Sequence, residues 1–199
     1  MLIDPYYPSD GALVRTLLQN HNVSHLNLLV LTHPHDDHFG GAFELLDAGI
    51  RIDQVWINGD HPYRKEAAIL YPELLNRFEA AGIPVAVVNR GLHLSVFYDR
   101  GCIEILHPTH PLSPWATYTL NSQETNGNSL VMRLSYGQVR FLFTGDLTWY
   151  GERELIAVFG DKGLDADIVE WAHHGNRDTG TLEFFEAVTP DLILYRNPK

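Results

Sequence analysis

One cysteine in 199 residues, Cys102, rules out an internal disulfide. Disulfide chemistry therefore says nothing about compartment. Cys102 lies in the run Cys102-Ile103-Glu104-Ile105-Leu106, where it is expected to be a small core residue. No apolar run approaches the roughly 20 residues that a membrane helix needs. The start, Met1-Leu2-Ile3-Asp4-Pro5-Tyr6-Tyr7-Pro8, has neither the basic nor the apolar region of a signal peptide, an absence that favours the cytoplasm. Cations are scarce too: 14 Lys and Arg stand against 25 Asp and Glu, a formal net charge of −11. That balance argues against a broad cationic surface for nucleic acid, whose binding rests on Lys and Arg at phosphates. A nuclease is not excluded, because bound divalent metals supply local positive charge. Repeats, low-complexity tracts and long linkers are all missing.

What is present is ordinary in bulk and unusual in one residue. Hydrophobic residues make up 45% and charged residues 20%, a globular composition at a length that suits one domain. Histidine is the anomaly, with 11 copies. Apolar strand-like runs alternate with helical patterns. Leu2-Ile3 is a short strand remnant, and Ser9 or Asp10 can cap a helix through Leu13, Leu17 and Leu18. Leu28 to Leu31 reads as a strand buried on both faces. Phe39 to Ala48 reads as a helix stopped by Gly49, and Tyr63 to Ala81 as one stopped by Gly82. Gln54 to Ile57, Pro84 to Val88, Asp167 to Trp171 and Leu192 to Leu194 read as strands. Glu152 to Phe159 and Leu182 to Val188 read as helices. Asp99-Arg100-Gly101 and Ser135 to Gln138 mark two hairpins. Hairpins mixed with strand-helix-strand units predict an α/β layered domain.

Four segments carry the candidate chemistry. In the first, His33-x-His35-x-Asp37-His38 directly follows the strand at Leu28 to Leu31. A buried strand ending in a loop is where an open sheet places ligands. Imidazole and carboxylate together suit zinc, and also manganese or iron. Gly40-Gly41 then allows close backbone approach. In the second, Phe141-Leu142-Phe143-Thr144-Gly145 delivers Asp146, whose two oxygens can bridge two cations. In the third, a strand ends at His173-His174-Gly175. One of this pair is expected to ligate metal, and the other to position substrate or donate a proton. In the fourth, the amides and hydroxyl of Asn126, Asn128 and Ser129 can bind an oxyanion, although an ordinary turn explains this composition equally well. The remaining histidines, His21, His25, His61, His93, His107 and His110, read as structural or surface residues, with His61 the nearest to a substrate role.

In order, His33-x-His35-x-Asp37-His38, Thr144-Gly145-Asp146 and His173-His174-Gly175 resemble the metallo-β-lactamase superfamily. Thr32-His33-Pro34-His35, Asn126-x-Asn128-Ser129-Leu130-Val131, Leu142 to Asp146, His173 to Gly175 and Ile105-Leu106-His107-Pro108 further resemble the hydrolase domain of ComEC-type competence proteins. Stand-alone relatives and teichoic acid phosphorylcholine esterases are similar. The resemblance runs from about Leu2 to Leu194. It implies a metallo-β-lactamase αββα sandwich, with residues 1–199 as a single domain. Members usually begin earlier, with a strand pair carrying Asp-x-Gly-x-Gly-Asp, and continue past Leu194 through a helix and more strands. The expectation is therefore a domain shortened at both ends.

The resemblance also implies two divalent metal ions, zinc in the first place, with manganese or iron as alternatives. One site would take His33 and His35, with Asp146 as bridge. The other would take Asp37, His38, Asp146 and one His of the final pair. The Gly-His-Gly ending common in the family assigns His174 to the metal and His173 to the space beside it. Many lactamase and lactonase members carry a further His for the first site, where this chain has Asn126 to Ser129. The implied reaction is hydrolysis by a water activated between the metals, with Asp37, Asp146 and His173 as catalytic residues and Asn126, Asn128 and Ser129 toward the substrate. The ComEC-type pattern favours a phosphodiester, and the charge of −11 favours a small or short one over long nucleic acid. The alternatives are hydrolysis of a carboxylic ester, lactone or thioester on the same site, or a degenerate module without catalysis.

Overall fold

A computed structural model of the chain describes residues 1–109 and 122–195. The described residues fall into two compact units, residues 1–88 with 122–125, and residues 89–109 with 126–195.

The first unit is built on a four-stranded parallel sheet. Its order is β1 (Leu2–Ile3), β3 (Leu29–Leu31), β5 (Val55–Ile57) and β6 (Val85–Val87). Leu29, Val30 and Leu31 have no solvent exposure, which explains their unbroken apolar run: an inner parallel strand is covered on both faces. The connections carry α1 (Gly11–Asn20), α2 (Asp36–Phe39), α3 (Ala42–Asp47) and α4 (Lys65–Ala80). A small parallel pair, β2 (His25–Leu26) and β4 (Arg51–Ile52), lies beside them. Helix α4 buries Ala67, Tyr71, Leu74 and Phe78, one face at helical spacing, into a core with Leu29, Leu31, Phe39, Leu45 and Val55. The helix expected from Phe39 divides instead into α2 and α3 at Gly40-Gly41. A Cβ on Gly41 would lie 1.9 Å from the Pro5 carbonyl oxygen, so the chain passes here closer than any side chain allows.

The second unit holds a six-stranded sheet. The order is β12 (Leu192–Leu194), β11 (Ile168–Glu170), β10 (Val139–Phe143), β9 (Val131–Tyr136), β8 (Gly101–His107) and β7 (His93–Val96). Strands β7 to β10 form an antiparallel meander, while β10, β11 and β12 are parallel. Helices α6 (Trp149–Gly163) and α8 (Leu182–Val188) cover a core of Leu106, Leu142, Leu147, Leu155, Val169, Phe184 and Val188. Glu152 on α6 has no exposure, yet it is satisfied. Its carboxylate accepts the backbone N–H groups of Gly180 and Thr181 and the Thr181 hydroxyl, which fixes the start of α8. The outer strands β6 and β12 are exposed along their whole length.

The α/β class and both hairpins are as expected, with three differences besides the divided helix at Gly40-Gly41. Cys102 is half-buried rather than a core residue. Strand alternation sends Ile103 and Ile105 into the core and turns Cys102 and Glu104 to the other face. Residues Ser122–Gly127 form a short helix, α5, where the composition reads as a turn. The expected helix at Glu152 begins earlier, at Trp149, and breaks at Gly160, which has left-handed φ. His110 lies outside the described residues. Among the described residues, no helix is long and apolar enough to cross a membrane.

Candidate metal centre

In the first unit, β3 ends at Leu31 and the chain turns at once through Thr32-His33-Pro34-His35 into α2. The resemblance groups His33 with His35, and Asp37 with His38. His33 and His35 offer ligand atoms within 4.8 Å of each other, and so do Asp37 and His38. His33 Nε2 is 3.0 Å from His35 Nδ1, and His38 Nε2 is 3.8 Å from Asp37 Oδ2. The imidazoles are packed together, with the His33 ring centroid 4.6 Å from that of His35 and 4.0 Å from that of His38. All three rings are buried.

The residue that organises this loop is Asp4, the final residue of Leu2-Ile3-Asp4, and it is not among the expected site residues. Asp4 is buried directly after β1. Its Oδ1 accepts the backbone N–H of Thr32 at 2.8 Å. Its Oδ2 accepts the Thr32 hydroxyl and His38 Nδ1–H, each at 2.7 Å. A carboxylate only accepts, so His38 carries a hydrogen on Nδ1, and its neutral form presents an Nε2 lone pair. The Thr32 hydroxyl has given its hydrogen to Asp4, so its oxygen accepts His33 Nδ1–H at 3.1 Å. His33 then also presents Nε2. One buried carboxylate thus fixes two ring tautomers in the form that binds a cation, the role a carboxylate takes behind a ligating histidine. The sequence signal was the position of Asp4 after a short strand, but its partners lie 28 and 34 residues away.

In the second unit, the parallel strands β10 and β11 end side by side, and each delivers part of the site from its carboxyl end. Two bonds tie the ends together, the Thr144 hydroxyl to the Glu170 carbonyl at 2.8 Å and His173 N–H to the Gly145 carbonyl at 2.9 Å. Asp146 is buried and stands between two imidazoles. Its Oδ1 is 3.7 Å from His174 Nε2, and its Oδ2 is 3.7 Å from His173 Nε2.

The two histidines differ in setting. The His173 side chain is 26% exposed and that of His174 11%. His173 Nε2 lies 3.3 Å from Asn126 Nδ2, and His174 and Asp146 offer ligand atoms within 4.8 Å of each other. Both residues sit in the left-handed region, His173 at φ 52° and ψ 44°, His174 at φ 57° and ψ 27°, in the single turn α7 (Ala172–Gly175). Such a conformation costs on the order of 1 kcal/mol or more for each non-glycine residue and persists only where the surroundings enforce it. Here it turns two consecutive rings toward one carboxylate.

The other expected residues are placed as follows. Asn126 and Ser129 are buried, and Asn128 is half-buried. The Ser129 hydroxyl accepts the backbone N–H of Asp146 at 3.1 Å. His61 is exposed, and its backbone N–H donates to Asp60. His25 is at the surface in an ion pair with Asp53, whose pKa is lowered chiefly by the hydrogen bond from His25. His107, expected to be structural, is buried, with Nδ1 hydrogen-bonded to the Ser129 carbonyl and Nε2 3.7 Å from Glu154 Oε2.

Neutral imidazoles with fixed lone pairs beside carboxylates are a donor set that fits a divalent cation such as zinc, manganese or iron. A model of the metallo-beta-lactamase superfamily matches residues 1–118. The chain is 29% identical to ComE operon protein 3 of Bacillus subtilis (strain 168) over 172 residues, 86% of this chain and 20% of that protein. It is 34% identical to the competence protein ComA of Neisseria gonorrhoeae over 71 residues, 36% of this chain and 10% of that one. The chain thus spans a fifth or less of these relatives' lengths. Among solved structures it is similar to CmlA, a diiron β-hydroxylase from Streptomyces venezuelae, with a TM-score of 0.50 at 16% identity, covering 85% of this chain and 35% of that one.

Proposed function

The chain belongs to the metallo-β-lactamase superfamily, and from that premise we propose that it is a metal-dependent hydrolase acting on a phosphodiester. The observation that carries the proposal is the Asp4 network. A buried carboxylate that engages His38 Nδ1 directly and His33 Nδ1 through Thr32, with His33 Nε2 beside His35 and His38 Nε2 beside Asp37, suits ligation. Two divalent ions, zinc in the first place, would be held by His33 and His35, by Asp37 and His38, and by His174, with Asp146 as the shared carboxylate. Iron is the alternative that the likeness to a diiron protein keeps in view.

When bound, such ions lower the pKa of a water from roughly 15.7 to about 7, which supplies a nucleophile at neutral pH, and they polarise the phosphoryl oxygen. The protein's own residues do the rest. Asp146, anchored through its backbone to Ser129, holds its carboxylate between the two rings. His173 is more exposed than His174 and faces the Asn126 amide, which suits it to hold substrate or to give a proton to the leaving oxygen. Asn126, Asn128 and Ser129 would orient the substrate's non-bridging oxygens. The phosphodiester part of the proposal rests on the ComEC-type pattern at these three residues, beside the similarity to ComE operon protein 3 and to a competence protein. The charge of −11 favours a small or short substrate.

The test is elemental analysis for metal beside hydrolysis of bis(p-nitrophenyl) phosphate, for the wild-type chain and for Asp146→Ala. Near two metals per chain, with turnover lost in Asp146→Ala, is the expected result. Metal with turnover of p-nitrophenyl acetate alone would replace the phosphodiester by a carboxylic ester. A folded chain with neither metal nor turnover would leave a module without catalysis.

A further inference from the structure

We propose that His107 is a positioning residue for Asp146, acting through Ser129 and itself held by Glu154, an inference that takes its functional meaning from the reading of Asp146 as a metal ligand.

His107 is the last residue of β8 and is 2% exposed. Its neighbours in the chain and across the sheet, Leu106, Leu130 and Val131, have no exposure and are apolar. An imidazole buried in such a place costs free energy unless its nitrogens find partners. His107 Nδ1 is 3.0 Å from the Ser129 carbonyl oxygen. A carbonyl only accepts, so Nδ1 carries the hydrogen and donates it. On the other edge of the ring, Nε2 is 3.7 Å from Glu154 Oε2, on α6. Glu154 is further engaged by Thr109 and faces the charge of Arg90, and its carboxyl is held at about 2. The carboxylate thus stands beside the outer edge of the ring, with Thr109 on its other side.

Ser129 carries the connection inward. It has no exposure, its carbonyl is held by His107, and its hydroxyl accepts the backbone N–H of Asp146. Asp146 needs that support. It follows Gly145, which has φ 52°, so the backbone bringing the carboxylate into place is softer than a side-chain-bearing turn would be. The path from Glu154 through His107 and Ser129 to Asp146 lies within one unit. It joins α6, β8, the segment before β9 and the turn after β10. Its two inner links are directed hydrogen bonds, so a change at His107 is expected to be read at the amide of Asp146.

The test uses the full chain stripped of metal, with His107→Asn, His107→Leu and Glu154→Gln. The first readout is the Asp146 backbone amide, by its chemical shift and hydrogen exchange. The second is zinc affinity by competition with a chromophoric chelator. Leu fills the volume but cannot donate to Ser129. Asn is smaller, but its side-chain amide places an N–H where Nδ1 stood. The expected order is therefore Asn near wild type and Leu impaired, with a displaced and faster-exchanging Asp146 amide and a roughly tenfold loss of zinc affinity. Glu154→Gln is expected to move the same amide in the same direction by less. If His107 only filled space, the order would reverse, and that result overturns the proposal. An Asp146 amide unmoved by His107→Leu overturns it as well. Should His107→Leu fail to fold, Glu154→Gln at its 44% exposed position carries the test, and an unmoved amide there overturns the proposal. An amide that responds in a wild-type background binding no zinc supports the positional link and overturns the metal reading alone.

Discussion

Replacing Asp4 by Asn probes the arrangement that holds Nδ1 of His33 and His38. The substitution keeps the volume, so no cavity is made, and it changes only charge and hydrogen bonding. Asn can still accept the Thr32 N–H through one oxygen. Its NH2 then faces the Thr32 hydroxyl and His38 Nδ1, both of which donate to Asp4 in the native protein. Asp4, Thr32 and His38 are 3%, 0% and 0% exposed, so water cannot replace the lost acceptor. Two charge-assisted bonds at about 1.5–3 kcal/mol each set a ceiling, and removing one partner of a buried charged pair typically costs about 3–5 kcal/mol. Release of the cost of burying a carboxylate offsets part of this, which places the expected loss near 3 kcal/mol. For a chain of this size that is a fall in Tm of about 6–12 °C, at roughly 2–4 °C per kcal/mol. The loss is measured on EDTA-treated protein by urea unfolding and thermal melting. Metal affinity, titrated separately, is expected to fall by about 10–100-fold, because His38 and His33 lose their fixed tautomers. A stability change under about 1 kcal/mol together with unchanged metal affinity would refute the assignment of Asp4 as the organiser of the loop.

Three further outcomes follow from particular contacts. Tyr71→Phe is expected to raise stability by about 1 kcal/mol, because the buried hydroxyl of Tyr71 has no hydrogen-bond partner among the described residues, and burial together with the charge of Asp60 pushes its pKa up; a melt lower than wild type would count against this. Gly41→Ala is expected to cost about 3 kcal/mol or to prevent folding, since the new Cβ would overlap the Pro5 carbonyl; a neutral effect on urea unfolding would show that the approach at Gly41 is looser than described. Glu154 has its pKa lowered from 4.5 to about 2, first by the hydrogen bond from His107, against desolvation, and then by Thr109, the charge of His107 and Arg90. A depressed folded-state pKa contributes stability that is complete above about 4.5 and lost as the pH falls toward 2. With 44% of the side chain exposed, that contribution stays under about 1 kcal/mol. Wild type should therefore exceed Glu154→Gln slightly at pH 7, with the gap closing between pH 4.5 and 2; a gap that widens on acidification would refute the linkage.

The candidate ligands were legible because the chemistry is local. His33, His35, Asp37 and His38 fall within six residues after an apolar run, so their proximity follows from chain connectivity alone. The parallel strands were legible for a related reason. Leu29, Val30 and Leu31 are covered on both faces and form an unbroken apolar run. Cys102 was misplaced because the run around it is apolar in composition but alternates in space, which only the sheet pairing reveals. The helix at Ser122–Gly127 was missed because Asn, Gly and Ser favour turns by local preference, and tertiary packing overrides such preferences.

The amino-acid sequence alone determined the fold class, the metal-competent residues and their order along the chain, since residue type and short-range spacing carry that information. The tertiary structure decided which ring nitrogen of His33 and His38 the Asp4 network engages, how His173 and His174 divide their settings around Asp146, and what stands behind Asp146. Those outcomes depend on hydrogen bonds between residues 17 to 47 positions apart, from Ser129 with Asp146 through Asp4 with Thr32 and His38 to Asn126 with His173. Such partners are chosen by the pairing of strands and the turning of loops, and no local pattern in the chain specifies them.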